Sequence, residues 1–210
     1  ERKYIQELLS YKIEGMIILS HTIPSRELAS YNLPIVTIER EDQFVSSVNT
    51  DNYMGALQAT SLLIRDKCDI LIHINVNVNK SAPAYDRIWA FQATCEEYHV
   101  PYDIDLSVKG ASYHELLDVI REIFNKIESK YPDQKKGIFL ANDTYANMFL
   151  NLIFQKYGTF PSTYEIVGFD NSPIASEAIL PITTIGQQID EIAKTAMDLL
   201  VQQMEEQKKR

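Results

Sequence analysis

Gly137-Ile138-Phe139-Leu140-Ala141-Asn142-Asp143-Thr144 is an apolar run that breaks on a polar triplet, and Glu165-Ile166-Val167-Gly168-Phe169-Asp170-Asn171 repeats the arrangement. Between them Ala146, Phe149, Leu150, Ile153, Phe154 and Tyr157 recur at three- and four-residue steps, the period of a helix with one apolar face. Gly158 stops that helix and Pro161 lies beyond it. The stretch therefore reads strand–helix–strand, with the strands parallel and joined by a right-handed crossover. Parallel strands bring their carboxyl ends to one edge of the sheet, where open α/β sheets bind ligands. Asn142 and Asp170 are the first polar side chains past each strand. An amide and a carboxylate there suit a ligand rich in hydroxyls or ring nitrogens. The plainer alternative is that Asn142 or Asp143 caps the helix and Asp170 begins a turn. Asp143 is read as a cap.

The same alternation extends in both directions. Upstream come a helix tail over 2–11, a buried strand from Ile13 to Ser20, a short helix over 24–31, and the strand Ile35–Ile38 ending in Glu39-Arg40. Phe44 to Val48 is extended. Thr50 or Asp51 then caps a helix from Asn52 to Arg65. A strand near 69–76, a helix over 84–98, a short strand before Gly110 and an amphipathic helix over 113–130 lead to the central unit. After it, Leu180 to Gln187 precedes a last helix from Ile189 to Met204, and 206–210 is a charged tail. Strands alternating with helices define the α/β class with largely parallel sheets.

Composition excludes several activities. A formal net charge of −9 disfavours nucleic-acid binding by this chain itself, since phosphate contacts need a basic surface, and disfavours an anionic membrane surface. No apolar run approaches the roughly 20 residues a spanning helix needs. Glu1-Arg2-Lys3-Tyr4 opens an amphipathic helix, not a secretion signal. Cys68 and Cys95 form no CxxC pair, so a reduced, cytoplasmic setting is expected. No GxSxG, GxxxxGK[ST] or GxGxxG motif occurs. His21, His73, His99 and His114 lack nucleophile or metal-ligand neighbours and read as satisfied or exposed. No catalytic residue, metal or cofactor is expected. Glu39 and Asp170 as the acid–base pair of a glycosidase is the enzymatic alternative.

Phe139-Leu140-Ala141-Asn142-Asp143, Glu165 to Asn171 and Ile182-Thr183-Thr184-Ile185-Gly186-Gln187 together resemble the effector-binding domain of the lactose-repressor (LacI/GalR) family of bacterial transcription regulators. Ile13-Glu14-Gly15-Met16-Ile17-Ile18, Pro34 to Arg40, Asp51-Asn52 before Gly55-Ala56, and Arg87-Ile88-Trp89-Ala90-Phe91 occur in the family's order. The resemblance implies two Rossmann-like subdomains of the type I periplasmic-binding-protein kind, three crossing hinge strands and a ligand clamped between the lobes. By that analogy residues 1–66 plus 187–205 form an N-terminal subdomain and 67–186 a C-terminal one. It carries ligand contact over to Glu39, Arg87, Asn142 and Asp170, with Gln187 near the hinge. A carboxylate accepts from vicinal hydroxyls and a guanidinium donates in a fixed fork. Arg87 as a surface helix residue in an ordinary ion pair is the alternative.

The chain also departs from the family pattern. Asp66-Lys67 replaces a usual Gly-His. Ala111-Ser112 stands where an aromatic platform often follows the glycine, leaving Tyr113 as the nearest ring and Trp89 or Tyr85 as substitutes. The family's first strand, first helix, final strand and DNA-binding headpiece have no counterpart, so truncation at both ends is expected. The implied partners are a small-molecule effector, taken to be a carbohydrate, a second copy in a homodimer, and DNA only through a headpiece outside this chain. A solute-binding protein of a sugar transporter is the runner-up.

Overall fold

The computed structural model describes residues 1–19, 22–40, 43–110 and 112–209. The expectations for Ser20, His21, Ala111 and Arg210 fall outside those residues. Two compact units divide the chain: Glu1–Thr50 with Lys80–Ala84 and Gln188–Arg210, and Asp51–Asn79 with Tyr85–Gln187.

The first unit holds helix α1 (Arg2–Ser10), strand β1 (Met16–Leu19), helix α2 (Ser25–Ala29), and strands β2 (Ile35–Ile38) and β3 (Ser46–Val48). The three strands pair in parallel in the order β1-β2-β3. Ile5, Met16, Ile23, Leu28 and Ile35 make one small core, and Val36, Ala196 and Leu200 another. The last two residues come from the C-terminal helix, which spans Ile189–Lys208. The expected tail at 206–210 is thus helical as far as Lys208. Gln202 donates to Glu206 one turn on, and Gln207 Nε2 donates to the Asn32 carbonyl at 2.7 Å, which ties that end down.

The second unit holds α3 (Asn52–Arg65), β4 (Ile70–Val76), α4 (Tyr85–Glu97), β5 (Tyr102–Val108), α5 (Tyr113–Lys130), β6 (Lys136–Leu140), α6 (Asp143–Tyr157), β7 (Tyr164–Asp170), α7 (Pro173–Glu177) and β8 (Thr183–Gly186). The C-terminal helix of the first unit is α8. Five parallel strands lie in the order β5-β4-β6-β7-β8. Side chains of a strand alternate between faces, and a parallel sheet covered on both sides is apolar on both. Accordingly Ile70, Ile72, Ile74, Ile138, Leu140 and Ile166 pack with α5 and α6 on one face. Leu71, Phe139, Val167 and Phe169 pack with α3 and α4 on the other.

Local signals start the helices. Asp51 accepts from the Met54 amide, and Ser112 and Glu115 form a reciprocal capping box at α5. The units differ from the expected division: Lys80–Ala84 joins the first, Gln187 joins the second, and the largest shift is at α3. Helix α3 belongs to the second unit because Ala56, Ala59 and Leu63 bury against Leu71, Phe139 and Val167. The division falls at Thr50/Asp51 instead of near residue 66.

Candidate functional site

Asp170 ends β7 and lies beside Gly186 at the end of β8, so Gln187 follows one residue later. Gln187 Nε2 donates to Asp170 Oδ1 at 2.6 Å. Arg87, on the first turn of α4, brings Nη2 to 3.9 Å from the same carboxylate oxygen. Its Nε donates to Asn52 Oδ1 at 2.7 Å and its Nη1 to the Ala141 carbonyl at 2.5 Å. The guanidinium also stacks 3.7 Å over the Phe169 ring. Three expected residues therefore converge at the carboxyl edge of the second sheet, where Arg87 pairs with Asp170 from a largely buried position, not from the surface. Its side chain is only 11% exposed, against 34% for Asp170.

The support beneath Arg87 is close-packed. An added Cβ at Gly55 would lie 2.7 Å from Phe169 Cε2, so the glycine lets α3 approach the ring that carries the guanidinium. Asn52 is buried at the first position of α3, where it meets Arg87. The sequence shows Asp51-Asn52 ahead of a helix, and nothing local to it assigns Asn52 a part in the site. A polar residue just inside a helix start looks like ordinary capping until its distant partner is known.

Asn142 and Asp143 divide their roles differently from the expectation. Asn142 is the cap, its Oδ1 accepting from the Tyr145 amide at 2.9 Å. Asp143, read as the cap, is buried and accepts from the Ser172 amide at 2.7 Å and from Thr184 Oγ1 at 2.5 Å. Glu39 is part of the first unit. It follows β2 with φ at 59°, and its Oε1 accepts from the Thr50 amide at 2.6 Å.

His73, in the middle of β4, is fully buried and stacks on Phe139 with ring centroids 4.5 Å apart. Its Nδ1 donates to the Phe139 carbonyl at 3.0 Å, which leaves Nε2 to accept from Asn75 Nδ2 at 3.1 Å. Burial, with a smaller contribution from the Arg87 charge, pushes its pKa down to about 3. It is a neutral, satisfied core histidine, as expected. Trp89 is exposed and leans on Tyr53, with ring centroids 5.1 Å apart. Tyr113 is exposed beside His114. Among the described residues no three His, Cys, Asp or Glu side chains converge as a metal site would require, and no helix is long and apolar enough to cross a membrane.

A family model described as a periplasmic binding protein-like domain matches residues 62–210. The chain belongs to that family. This periplasmic binding protein-like chain is 28% identical over 206 residues to the ribose operon repressor of Halalkalibacterium halodurans, an alignment covering 98% of the chain and 60% of that repressor. The chain thus spans about three-fifths of the length of the curated relative it matches. The transcription regulator CcpA of Lactococcus lactis superposes with a TM-score of 0.80 at 20% identity, covering 98% of this chain and 75% of that one. A LacI family transcriptional regulator from Enterococcus faecalis, solved with bound ribose, gives a TM-score of 0.75 at 22% identity, with 97% and 73% covered. The expected parallel α/β fold is borne out, and with it the periplasmic-binding-protein-like kind that the family resemblance implies.

Proposed function

We propose that this domain senses a small sugar for a LacI/GalR-type transcriptional regulator. The observation that carries the reading is the trio at the second sheet's carboxyl edge, where Gln187 and Arg87 both address Asp170 Oδ1. A carboxylate held between a guanidinium and an amide offers acceptors and donors together, the chemistry that vicinal hydroxyls need. The names of the relatives, a ribose operon repressor and a regulator with bound ribose, support a carbohydrate over other polyols. Glu39, Arg87, Asn142, Asp170 and Gln187 remain the proposed ligand set.

Effector binding acts by shifting populations. A sugar that binds two states of the protein unequally moves the balance between them, and the affinity of the whole regulator for DNA moves with it. The DNA contact is assigned to residues outside these 210, because a net charge of −9 repels phosphate. A homodimer suits palindromic operators, and the proposed setting is the cytoplasm without an enzymatic step.

Thermal-shift and calorimetric titration with D-ribose, D-glucose and sucrose test the reading. A true effector raises the melting temperature with concentration, reaching about 2.7 kcal/mol of added stability at 100 times Kd. Arg87→Ala and Asp170→Ala should each abolish the shift. An undiminished shift in both variants would dismiss the site.

A further inference from the structure

We infer that Asp143 is a positioning residue for the sugar site, acting through Thr184 and the turn after β7 to hold Asp170 and Gln187 in place. The inference rests on the sugar-sensing reading above and assigns a role to a side chain that would otherwise pass as a helix cap.

Asp143 is a carboxylate with 1% exposure, and nothing about helix capping requires it, since Asn142 caps α6. Its two oxygens reach the two strands that carry the site, one at the segment leaving β7 and the other within β8, two residues before Gly186. Oδ2 accepts from the Ser172 amide at 2.7 Å in the segment leaving β7, and Oδ1 accepts from Thr184 Oγ1 at 2.5 Å on β8. The Thr184 oxygen in turn accepts from the Asn171 amide at 3.2 Å. One carboxylate therefore ties down the backbone on the far side of Asp170 twice, once directly and once through a hydroxyl.

That backbone needs holding. Asp170 has φ at 106° and Asn171 at 51°, two successive non-glycine residues in the left-handed half of conformational space. Such conformations persist only where the surroundings over-determine them, and they gather at ligand clamps. Gly168 makes room for the carboxylate, because an added Cβ there would collide with Asp143 Oδ1. The first turn of α6 supplies a favourable field for the buried negative charge. If the brace is lost, the turn relaxes, Asp170 swings, and the Gln187–Asp170 pair loses its geometry.

The test uses the 210-residue chain and four variants: Thr184→Val, Thr184→Ser, Asp143→Asn and, as a remote core control, Ile153→Val. Affinity for D-ribose, D-glucose and sucrose is measured by calorimetry, melting temperature by circular dichroism, and amide exchange at Asn171 and Ser172 by NMR. The expected result is that Thr184→Val and Asp143→Asn weaken binding of whichever sugar the parent takes by about tenfold or more, the equivalent of one mispositioned hydrogen bond. Thr184→Ser keeps the hydroxyl and should restore affinity to within about threefold of the parent. Exchange at Asn171 should accelerate in Thr184→Val while amides of β4 stay protected. Ile153→Val should lower the melting temperature and leave affinity unchanged. Parent-like affinity in both Thr184→Val and Asp143→Asn would overturn the inference. So would a loss in Thr184→Val that Ile153→Val reproduces at matched melting temperature. If the parent takes none of the three sugars, the sugar reading fails and exchange decides the brace: faster Asn171 and Ser172 exchange in Thr184→Val upholds it, and unchanged protection overturns it.

Discussion

Replacing Glu128 with alanine should destabilise the second unit by about 3–5 kcal/mol, the range seen when one partner of a buried ion pair is removed. Glu128, on α5, accepts from Lys156 Nζ, Tyr157 Oη and Tyr164 Oη, and Lys136 Nζ stands 4.0 Å away. The Lys136 side chain is 2% exposed, so its ammonium has little water to turn to. The alanine variant leaves that cation with the Gln134 carbonyl at 3.0 Å and the face of Tyr164 at 4.8 Å, and it strips two tyrosine hydroxyls of their acceptor. For a chain of this size the penalty corresponds to roughly 6–20 °C of melting temperature, measurable by calorimetry. Removing both charges in Glu128→Gln/Lys136→Met should recover much of the loss, because an apolar residue fills the lysine's site without a desolvation cost. Sugar affinity should not move, since Lys136 and Tyr164 begin β6 and β7 while the proposed site lies at the strands' other ends. The pH dependence follows. Burial works to raise the Glu128 pKa, but hydrogen bonds from Lys156, Tyr157 and Tyr164 outweigh it and leave it below the ordinary value. A carboxylate with a depressed native pKa contributes stability that is present above its unfolded pKa and lost as pH falls through the native one. Glu128→Gln should therefore flatten part of the acid limb of the stability curve below about pH 4.5. A melting temperature for Glu128→Ala within 2 °C of the parent's, beneath the lower bound of that range, would refute the reasoning.

Arg87→Lys should lose about tenfold or more in sugar affinity despite keeping the charge, because an ammonium cannot reach Asn52, Ala141 and Asp170 at once; calorimetry reads the change. Gly168→Ala should destabilise by about 1–3 kcal/mol in denaturant titration and weaken sugar binding as well, since its methyl displaces Asp143. His73 is charged in the unfolded chain below about pH 6.5 but stays neutral in the fold down to about pH 3, so stability should fall with acidification across that window by up to about 1.4 kcal/mol per pH unit. His73→Leu should remove that slope in urea melts at stepped pH while lowering stability at pH 7.

Much of the candidate site was legible because it follows from position along strands. Asp170 and Asn142 were found as the first polar residues after apolar runs, and both stand where parallel strands end. Arg87 and Gln187 came from the family resemblance alone, and nothing local marks either as facing Asp170. Asn52 and Thr184 were missed. Each is a small polar residue in a common local setting, and each acquires its role from a partner far along the chain.

The order of helices and strands, the parallel class and the edge where polar side chains gather were written in the sequence, because burial period and capping are local properties of a few residues. Only tertiary packing decided which sheet α3 covers, since Ala56, Ala59 and Leu63 would suit any apolar face. It also decided that Asn142 caps while Asp143 braces. Adjacent polar residues at a helix start are interchangeable until the fold brings Thr184 and Ser172 within reach of one of them.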